Sequence, residues 1–305
     1  MRGALARALG ARVMRLERRP SPYGSSFRLE ELDVALDDGR ELALMFKDAG
    51  PGGMTPRARA AKPALVLDPL RELEVYERIL APAALGTAAL HGADRARGWL
   101  FLERVEGVAL WQAGDRATWE EVARWLARAH AALAGAGGAA GRLLRHDARL
   151  LRLWPRRAAR FAGGRELRRI AGRYEDVAAR LLALPATLLH GDLYASNVLV
   201  DAPVRPSRIC PVDWEMAGVG PALLDLAALV SGWREADRRR VALAYREAMP
   251  PAQRPEEEDF LAALDACGLH VALQWLGWAP RWRPPAEHDH DWRGEALELA
   301  ERLGV

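Results

Sequence analysis

The chain has 305 residues, half of them hydrophobic, with 44 basic and 41 acidic side chains for a formal net charge of +3. That length exceeds one ordinary domain and can bury a large core, so two lobes are expected. The small net charge and the scatter of arginines along the chain argue against a nucleic-acid footprint, and no apolar run approaches the ~20 residues that span a bilayer.

The first twenty residues, MRGALARALGARVMRLERRP, lack the continuous apolar stretch of a secretory leader and read as a first helix running into strand-like sequence. Cys210 and Cys267 form no disulfide or metal framework, which fits a reducing compartment. A cytoplasmic protein with no membrane and no nucleic-acid partner is expected. Only Lys47 and Lys62 are lysines among the 44 basic residues. Arginine serves wherever either cation would do, so a lysine in this chain calls for a reason.

Residues 11 to 47 read as strands. Leu32, Val34 and Leu36 alternate, Asp38-Gly39 supplies turn chemistry, and Leu42, Leu44 and Phe46 alternate again, which predicts a hairpin. Its period of two places Ala43, Met45 and Lys47 on the opposite face. Gly50 to Pro63, rich in Gly, Pro, Ala and Arg, is expected to be a mobile loop. A helix is expected to begin at Asp68, with Asp as N-cap and Pro69 in the first turn. Its apolar arc is Val75, Tyr76, Ile79 and Leu80, with Glu72 inside the arc and Glu74 pointing away. A carboxylate on a buried face needs a cation, and Lys47 is the obvious partner.

Residues 98 to 107 read as another strand, after which helices dominate. TWEEVARWLARAHAAL predicts a helix with a capping box from Thr118 to Glu121 and a stripe of Val122, Trp125, Leu126, Ala129 and Leu133. Arg-rich helices follow to about residue 184, then a loop, a short strand pair near 198–200 and 208–212, and helices to the end. His130, on a helix stripe, reads as a hydrogen-bonded core histidine rather than a ligand. EHDHDW, with His288 and His290, reads as a solvated loop rather than a metal site. PEEEDF reads as the acidic first turn of a helix or as a cation-attracting patch. Trp233, Trp275, Trp278, Trp282 and Trp292 read mostly as packing, with a minority free to stack on a substrate.

The stretch HGDLYASNVLV carries the chemistry. Its His190, Asp192 and Asn197 fit H-x-D-x-x-x-x-N, in which the Asp accepts a hydroxyl proton and the Asn holds a metal. Asp213, in CPVDWE, follows Asn197 by sixteen positions, at the end of an apolar strand where a second metal-binding carboxylate is needed. Phosphoryl transfer needs cations on the phosphates, an acceptor for the nucleophile's proton, and alignment. Lys47, Glu72, Asp192, Asn197 and Asp213 supply these in that order.

With these motifs, and most strongly in HGDLYASNVLV and VDWEMAGVGPALLDLA, the chain resembles the aminoglycoside phosphotransferase and choline kinase-like family, small-molecule relatives of the protein kinases. The resemblance implies an α+β, bilobal protein-kinase-like fold with ATP or GTP in the cleft and Mg²⁺ as cofactor. Residues 1–104 would form the nucleotide-binding lobe, an antiparallel sheet plus a helix. Residues 105–305 would form a larger, mainly helical catalytic and acceptor-binding lobe. It further implies Asp192 as catalytic base, Asn197 and Asp213 as magnesium ligands, Lys47 as phosphate-binding lysine and Glu72 as its helix partner. His190 and Asp225 would brace the catalytic loop, and the backbone at Glu103 and Val105 would hold the base.

The chain departs from the kinase pattern in having no G-x-G-x-x-G ahead of the lysine. SPYGSSF stands there, so Tyr23, Gly24, Ser25 and Ser26 are the candidate phosphate loop. Asp225 follows Asp213 by only twelve positions and no A-P-E follows, leaving no room for a peptide-docking segment, so a small-molecule hydroxyl is the expected acceptor. A sugar, an aminoglycoside or macrolide-like antibiotic, a nucleoside and an amino alcohol stay open. A peptide or protein kinase and a non-catalytic nucleotide-binding module are the alternatives.

Overall fold

The computed structural model describes residues 1–23, 26–201, 207–280 and 289–305. Gly24 and Ser25 of the expected phosphate loop, and Trp282 and His288, lie outside the described residues. The chain divides into two compact units, Met1–Glu106 and Gly107–Val305.

The first unit is built on an antiparallel sheet of β1 (Val13–Pro20), β2 (Arg28–Leu36), β3 (Glu41–Asp48), β4 (Leu90–Asp94) and β5 (Trp99–Glu103), in the order β1-β2-β3-β5-β4. The expected hairpin is β2–β3, with Leu32 opposite Leu44 and Val34 opposite Leu42, and Gly39 takes the positive φ of 84° that its turn requires. Helix α1 (Arg2–Leu9) lays Ala4 and Leu5 against Leu32, Val34, Leu44, Phe46 and Phe101. Burying each of the large side chains contributes about 1.5–3 kcal/mol. The edge strand β1 is mostly exposed and carries Arg15, Glu17, Arg18 and Arg19 before ending in Pro20, features that discourage pairing with another chain.

Three local expectations are corrected in this unit. The segment 50–63 is folded rather than mobile. Pro56–Ala61 forms helix α2, capped by the Thr55 hydroxyl accepting from Ala58 N–H, and Phe27 bridges to Met54. Gly53 is needed there because a Cβ would sit 2.0 Å from the Asp48 carbonyl oxygen. The helix after Asp68 starts later than expected, with α3 spanning Arg71–Val75. Asp68 instead accepts from Leu70 N–H at 3.0 Å, closing a turn ahead of the helix. Finally, Glu74 is buried, because Arg95, in the turn after β4, approaches its carboxylate to 3.6 Å. The remainder of that helix continues through a wide turn, Tyr76–Leu80, to Ala83.

The second unit is mainly helical, with long helices Arg116–Ala132, Ala148–Phe161, Arg165–Ala183, Glu235–Ala248, Glu257–Leu276 and Trp292–Leu303. No helix among the described residues is long and apolar enough to cross a membrane. The helix expected to be capped at Thr118 is capped by Asp115, which accepts from Thr118 N–H at 2.9 Å. Glu121 does not close a capping box. It accepts from the backbone and hydroxyl of Ser207, 86 positions away. The acidic run Glu257, Glu258 and Asp259 forms a first helical turn, where carboxylates favour the helix dipole.

Two small sheets complete this unit. One orders β10 (Arg208–Pro211), β9 (Val198–Asp201) and β6 (Val108–Ala109), and the other β7 (Leu144–Arg145), β11 (Gly218–Pro221) and β8 (Ala186–Leu189). The β9–β10 pair is the expected one. The strands of the second sheet are two to four residues long, too short to leave a periodic signal.

Candidate functional site

In the first unit, Lys47 and Glu72 meet as their faces require. Lys47 lies on β3, on the face opposite Leu44 and Phe46, and Glu72 lies in the first turn of α3. Both are buried, and the Lys47 ammonium stands 2.5 Å from the Glu72 carboxylate. Losing one partner of such a pair typically costs about 3–5 kcal/mol, because the other charge is left buried alone. The Lys47 ammonium also lies 5.3 Å from the Phe27 ring centroid. Of the expected phosphate loop, Tyr23 is exposed, and the Ser26 carbonyl accepts from Thr55 N–H at 3.0 Å. Glu103 ends β5, and its carboxylate accepts from Ala89 N–H at 3.0 Å. Val105 follows outside the strand, half-buried.

In the second unit, the sheets place the HGD stretch beside the VDWEM stretch. β8 ends at Leu189, immediately before His190, and its antiparallel partner β11 begins at Gly218, opposite Leu189. β9 begins at Val198, immediately after Asn197, and its antiparallel partner β10 ends at Pro211, opposite Val198. Two antiparallel pairings thus set the turns 190–197 and 212–217 side by side. Three contacts lock them: Val212 N–H donates to Asn197 O at 2.9 Å, His190 Nε2 lies 2.9 Å from Val212 O, and the His190 and Trp214 rings pack at 4.6 Å. Gly191 has φ 80°, and a Cβ there would lie 2.3 Å from Met216 O, so only glycine fits.

Within the first turn, Asn197 Nδ2 donates to Asp192 O at 2.9 Å and approaches Asp192 Oδ2 at 3.3 Å. With the amide nitrogen so engaged, the amide oxygen of Asn197 faces away from Asp192. Asp213 adopts a left-handed backbone, φ 67° and ψ 61°, which is uncommon for a residue other than glycine and tends to occur where function demands it. Asp192, Asn197 and Asp213 are all half-buried. Carboxylate and amide oxygens of this kind suit a hard divalent cation such as Mg²⁺. Among the described residues no group of three or more His, Cys, Asp or Glu side chains is arranged to hold a metal.

Asp225 lies buried in the helix Leu223–Leu229 and accepts from His190 N–H at 2.7 Å and Gly191 N–H at 2.9 Å. His130 Nε2 approaches the same carboxylate at 3.3 Å, and His130 Nδ1 lies 2.9 Å from the Tyr245 hydroxyl. His130 is therefore the hydrogen-bonded core histidine expected of it. Burial acts to raise the Asp225 pKa, but the hydrogen bond and charge of His130, the charge of His190 and the Gly191 N–H outweigh it and hold the carboxyl below its usual value. Burial, with Asp225 and Cys267 nearby, pushes the Tyr245 phenol up, so it keeps its proton.

Tyr245 was not legible as part of this arrangement, since nothing in AYREAM marks it beyond a helical apolar position. Tyr245→Phe keeps the ring packing, including the stack on Phe260, and leaves His130 Nδ1 without this hydrogen-bond partner. It is expected to lower the unfolding free energy by about 1–3 kcal/mol, read from denaturant melts with an unchanged m value.

The tryptophans resolve mainly as packing. Trp275 and Trp292 stack at 5.0 Å, and Tyr194 meets the edge of Trp275 at 5.1 Å. Trp278 packs on Trp154 and Trp233 on Trp119. His290 lies 2.6 Å from Glu295.

A model of the phosphotransferase enzyme family (APH) matches residues 29–260. A search of curated proteins found no match. Among solved structures, a choline/ethanolamine kinase family protein from Mesorhizobium loti is 18% identical, with 95% of this chain and 87% of that chain covered and a TM-score of 0.54. The GDP complex of aminoglycoside 2'-phosphotransferase-IIIa is 15% identical, with 98% and 96% covered and a TM-score of 0.60. A macrolide 2'-phosphotransferase from Brachybacterium faecium is 19% identical, with 92% and 97% covered and a TM-score of 0.52. These likenesses show a shared protein-kinase-like α+β fold.

Proposed function

This chain belongs to the phosphotransferase enzyme family, and from that premise we propose that it transfers the γ-phosphoryl group of ATP or GTP to a hydroxyl of a small molecule. The observation that carries the proposal is the locked pair of turns, which holds Asp192, Asn197 and Asp213 on one hydrogen-bonded frame. The GDP bound to the aminoglycoside phosphotransferase supports a nucleotide co-substrate, and the named activities of the similar structures support a small acceptor.

Asp192 accepts the proton of the acceptor's hydroxyl as its oxygen bonds to the γ-phosphorus and the bridging P–O bond to the nucleoside diphosphate breaks. Asn197 and Asp213 would hold Mg²⁺, which when bound neutralises charge on the phosphate oxygens. Lys47 meets the phosphates with an ammonium whose direction Glu72 fixes. The candidate phosphate loop, which carries Tyr23 and Ser26, would serve the phosphates, and the backbone of Glu103 and Val105 would meet the base. His190 and Asp225 support the turn without reacting. Residues 1–104 serve the nucleotide and 105–305 serve catalysis and the acceptor, in the cytoplasm.

A peptide acceptor is disfavoured by the segment after Asp213. Residues 214–221 are taken up by a single helical turn and β11, and the helix bearing Asp225 follows at once. The test is a transfer assay with ATP and with GTP against sugars, nucleosides, amino alcohols, aminoglycosides and macrolides, read by product mass. A phosphorylated small product is the expected result. Phosphate on a polypeptide only, or nucleotide binding with no transfer to any acceptor, would replace the proposal with the corresponding alternative.

A further inference from the structure

We propose that Lys62 is a second phosphate-binding cation of the nucleotide site, acting beside Lys47. The proposal rests on the reading of Lys47 as a phosphate ligand and adds a residue that the sequence motifs do not point to.

Composition supplies the first observation. Of 44 basic residues, 42 are arginines, and the two lysines stand fifteen positions apart on different elements. The second is spatial. Lys62 caps the C-terminal end of α2, and its ammonium lies 5.6 Å from the centroid of Phe27, the ring that the Lys47 ammonium meets at 5.3 Å. Both departures from arginine therefore converge on one buried aromatic ring in the same unit.

The chain fixes Lys62 there by a short series of contacts. Phe27 bridges to Met54, Arg28 N–H donates to Gly53 O at 2.9 Å, and Thr55 N–H donates to Ser26 O at 3.0 Å. The start of α2 is thus pinned to residues 26–28, next to the expected phosphate loop. Thr55 caps the helix, and Lys62 N–H donates to Ala58 O at its far end. Lys62 is half-buried, and its ammonium lies over the Phe27 ring.

Lysine suits this position better than arginine for a physical reason. An ammonium is a compact charge with three rotatable donors and can turn toward any of several phosphate oxygens, whereas a planar guanidinium demands a fixed fork and more room beside the ring. The Lys47 ammonium is already met by the Glu72 carboxylate, and a polyphosphate carries negative charge enough for a second cation beside that pair.

The experiment measures binding without turnover. Non-hydrolysable ATP and GTP analogues, and AMP and GMP, are titrated by calorimetry into the full chain and into Lys62→Met, Lys62→Arg and Lys47→Met. The methionine keeps a long apolar side chain and removes the charge. Lys62→Met is expected to weaken the triphosphate analogue about tenfold or more, the scale of one charge-assisted hydrogen bond. The monophosphate affinity and the melting temperature are expected to stay near wild type, with Lys62→Arg in between. Wild-type triphosphate affinity in Lys62→Met, beside a loss in Lys47→Met, overturns the role of Lys62 alone. Equal loss of mono- and triphosphate binding in Lys62→Met also overturns it, as a structural effect. Wild-type affinity in Lys47→Met overturns the underlying reading of the site. Should Lys62→Met not fold, Lys62→Gln, polar and uncharged, is held to the same criteria.

Discussion

An Asp192→Asn enzyme is expected to lose about 10²- to 10⁴-fold in kcat, the usual contribution of a positioned general base, while its affinity for nucleotide stays near wild type. The substitution is nearly isosteric, so the Asp192 carbonyl that accepts from Asn197 at 2.9 Å is untouched. What changes is the ability of the side chain to take a proton. Single-turnover transfer with calorimetric nucleotide binding separates the two effects. An unchanged rate would remove Asp192 from the reaction, and a parallel loss of nucleotide affinity would make it a binding residue instead.

The second large effect is expected at Asp225. Its buried carboxylate accepts two backbone N–H groups of the HGD turn and faces His130. Asp225→Ala strands those donors, and the expected cost is about 3–5 kcal/mol of stability, with transfer falling as the turn loosens. Asp225→Asn keeps one acceptor oxygen and places an N–H₂ where the second was, so it is expected to be milder but still destabilising.

The pH dependence follows from the lowered Asp225 pKa. A carboxyl depressed in the folded state adds stability that is full above its unfolded pKa, about 3.9, and drains away as pH falls through the folded value. Denaturant melts from pH 6 down to pH 3 are therefore expected to show a steeper acid loss in wild type than in Asp225→Asn. Parallel curves would mean that the carboxylate is not charged in the folded chain.

Much of this was readable from local pattern. The β2–β3 hairpin follows from alternation and Asp38-Gly39, and the pairing of Lys47 with Glu72 follows from two periodicities, 2.0 in the strand and 3.6 in the helix, that each put a charge on a buried face. What was hidden depended on distant partners. Glu74 is on the polar side of its helix by angle, yet Arg95 covers it from another element. Glu121 fits a capping box, yet Ser207 claims it. Thr118 matched the cap signature, but Asp115, three positions earlier, has the stronger acceptor and starts the helix sooner. Gly50 to Pro63 looked unstructured by composition because the bridge from Phe27 to Met54 that orders it joins residues 27 positions apart. In the second unit, Asp192, Asn197 and Asp213 stand out in the sequence and the runs around 198–200 and 208–212 point to β9–β10, but nothing local marks the β8–β11 pairing that also brings their turns together.

The bonding of turn 190–197 to turn 212–217 bears on how such a protein could be redesigned. Val212 links to Asn197 through its N–H and to His190 through its carbonyl, so neither turn can drift without its neighbour, and an insertion in one would misplace side chains in both. Substitutions meant to alter the protein are therefore best kept off both turns, so that the frame they share keeps its dimensions.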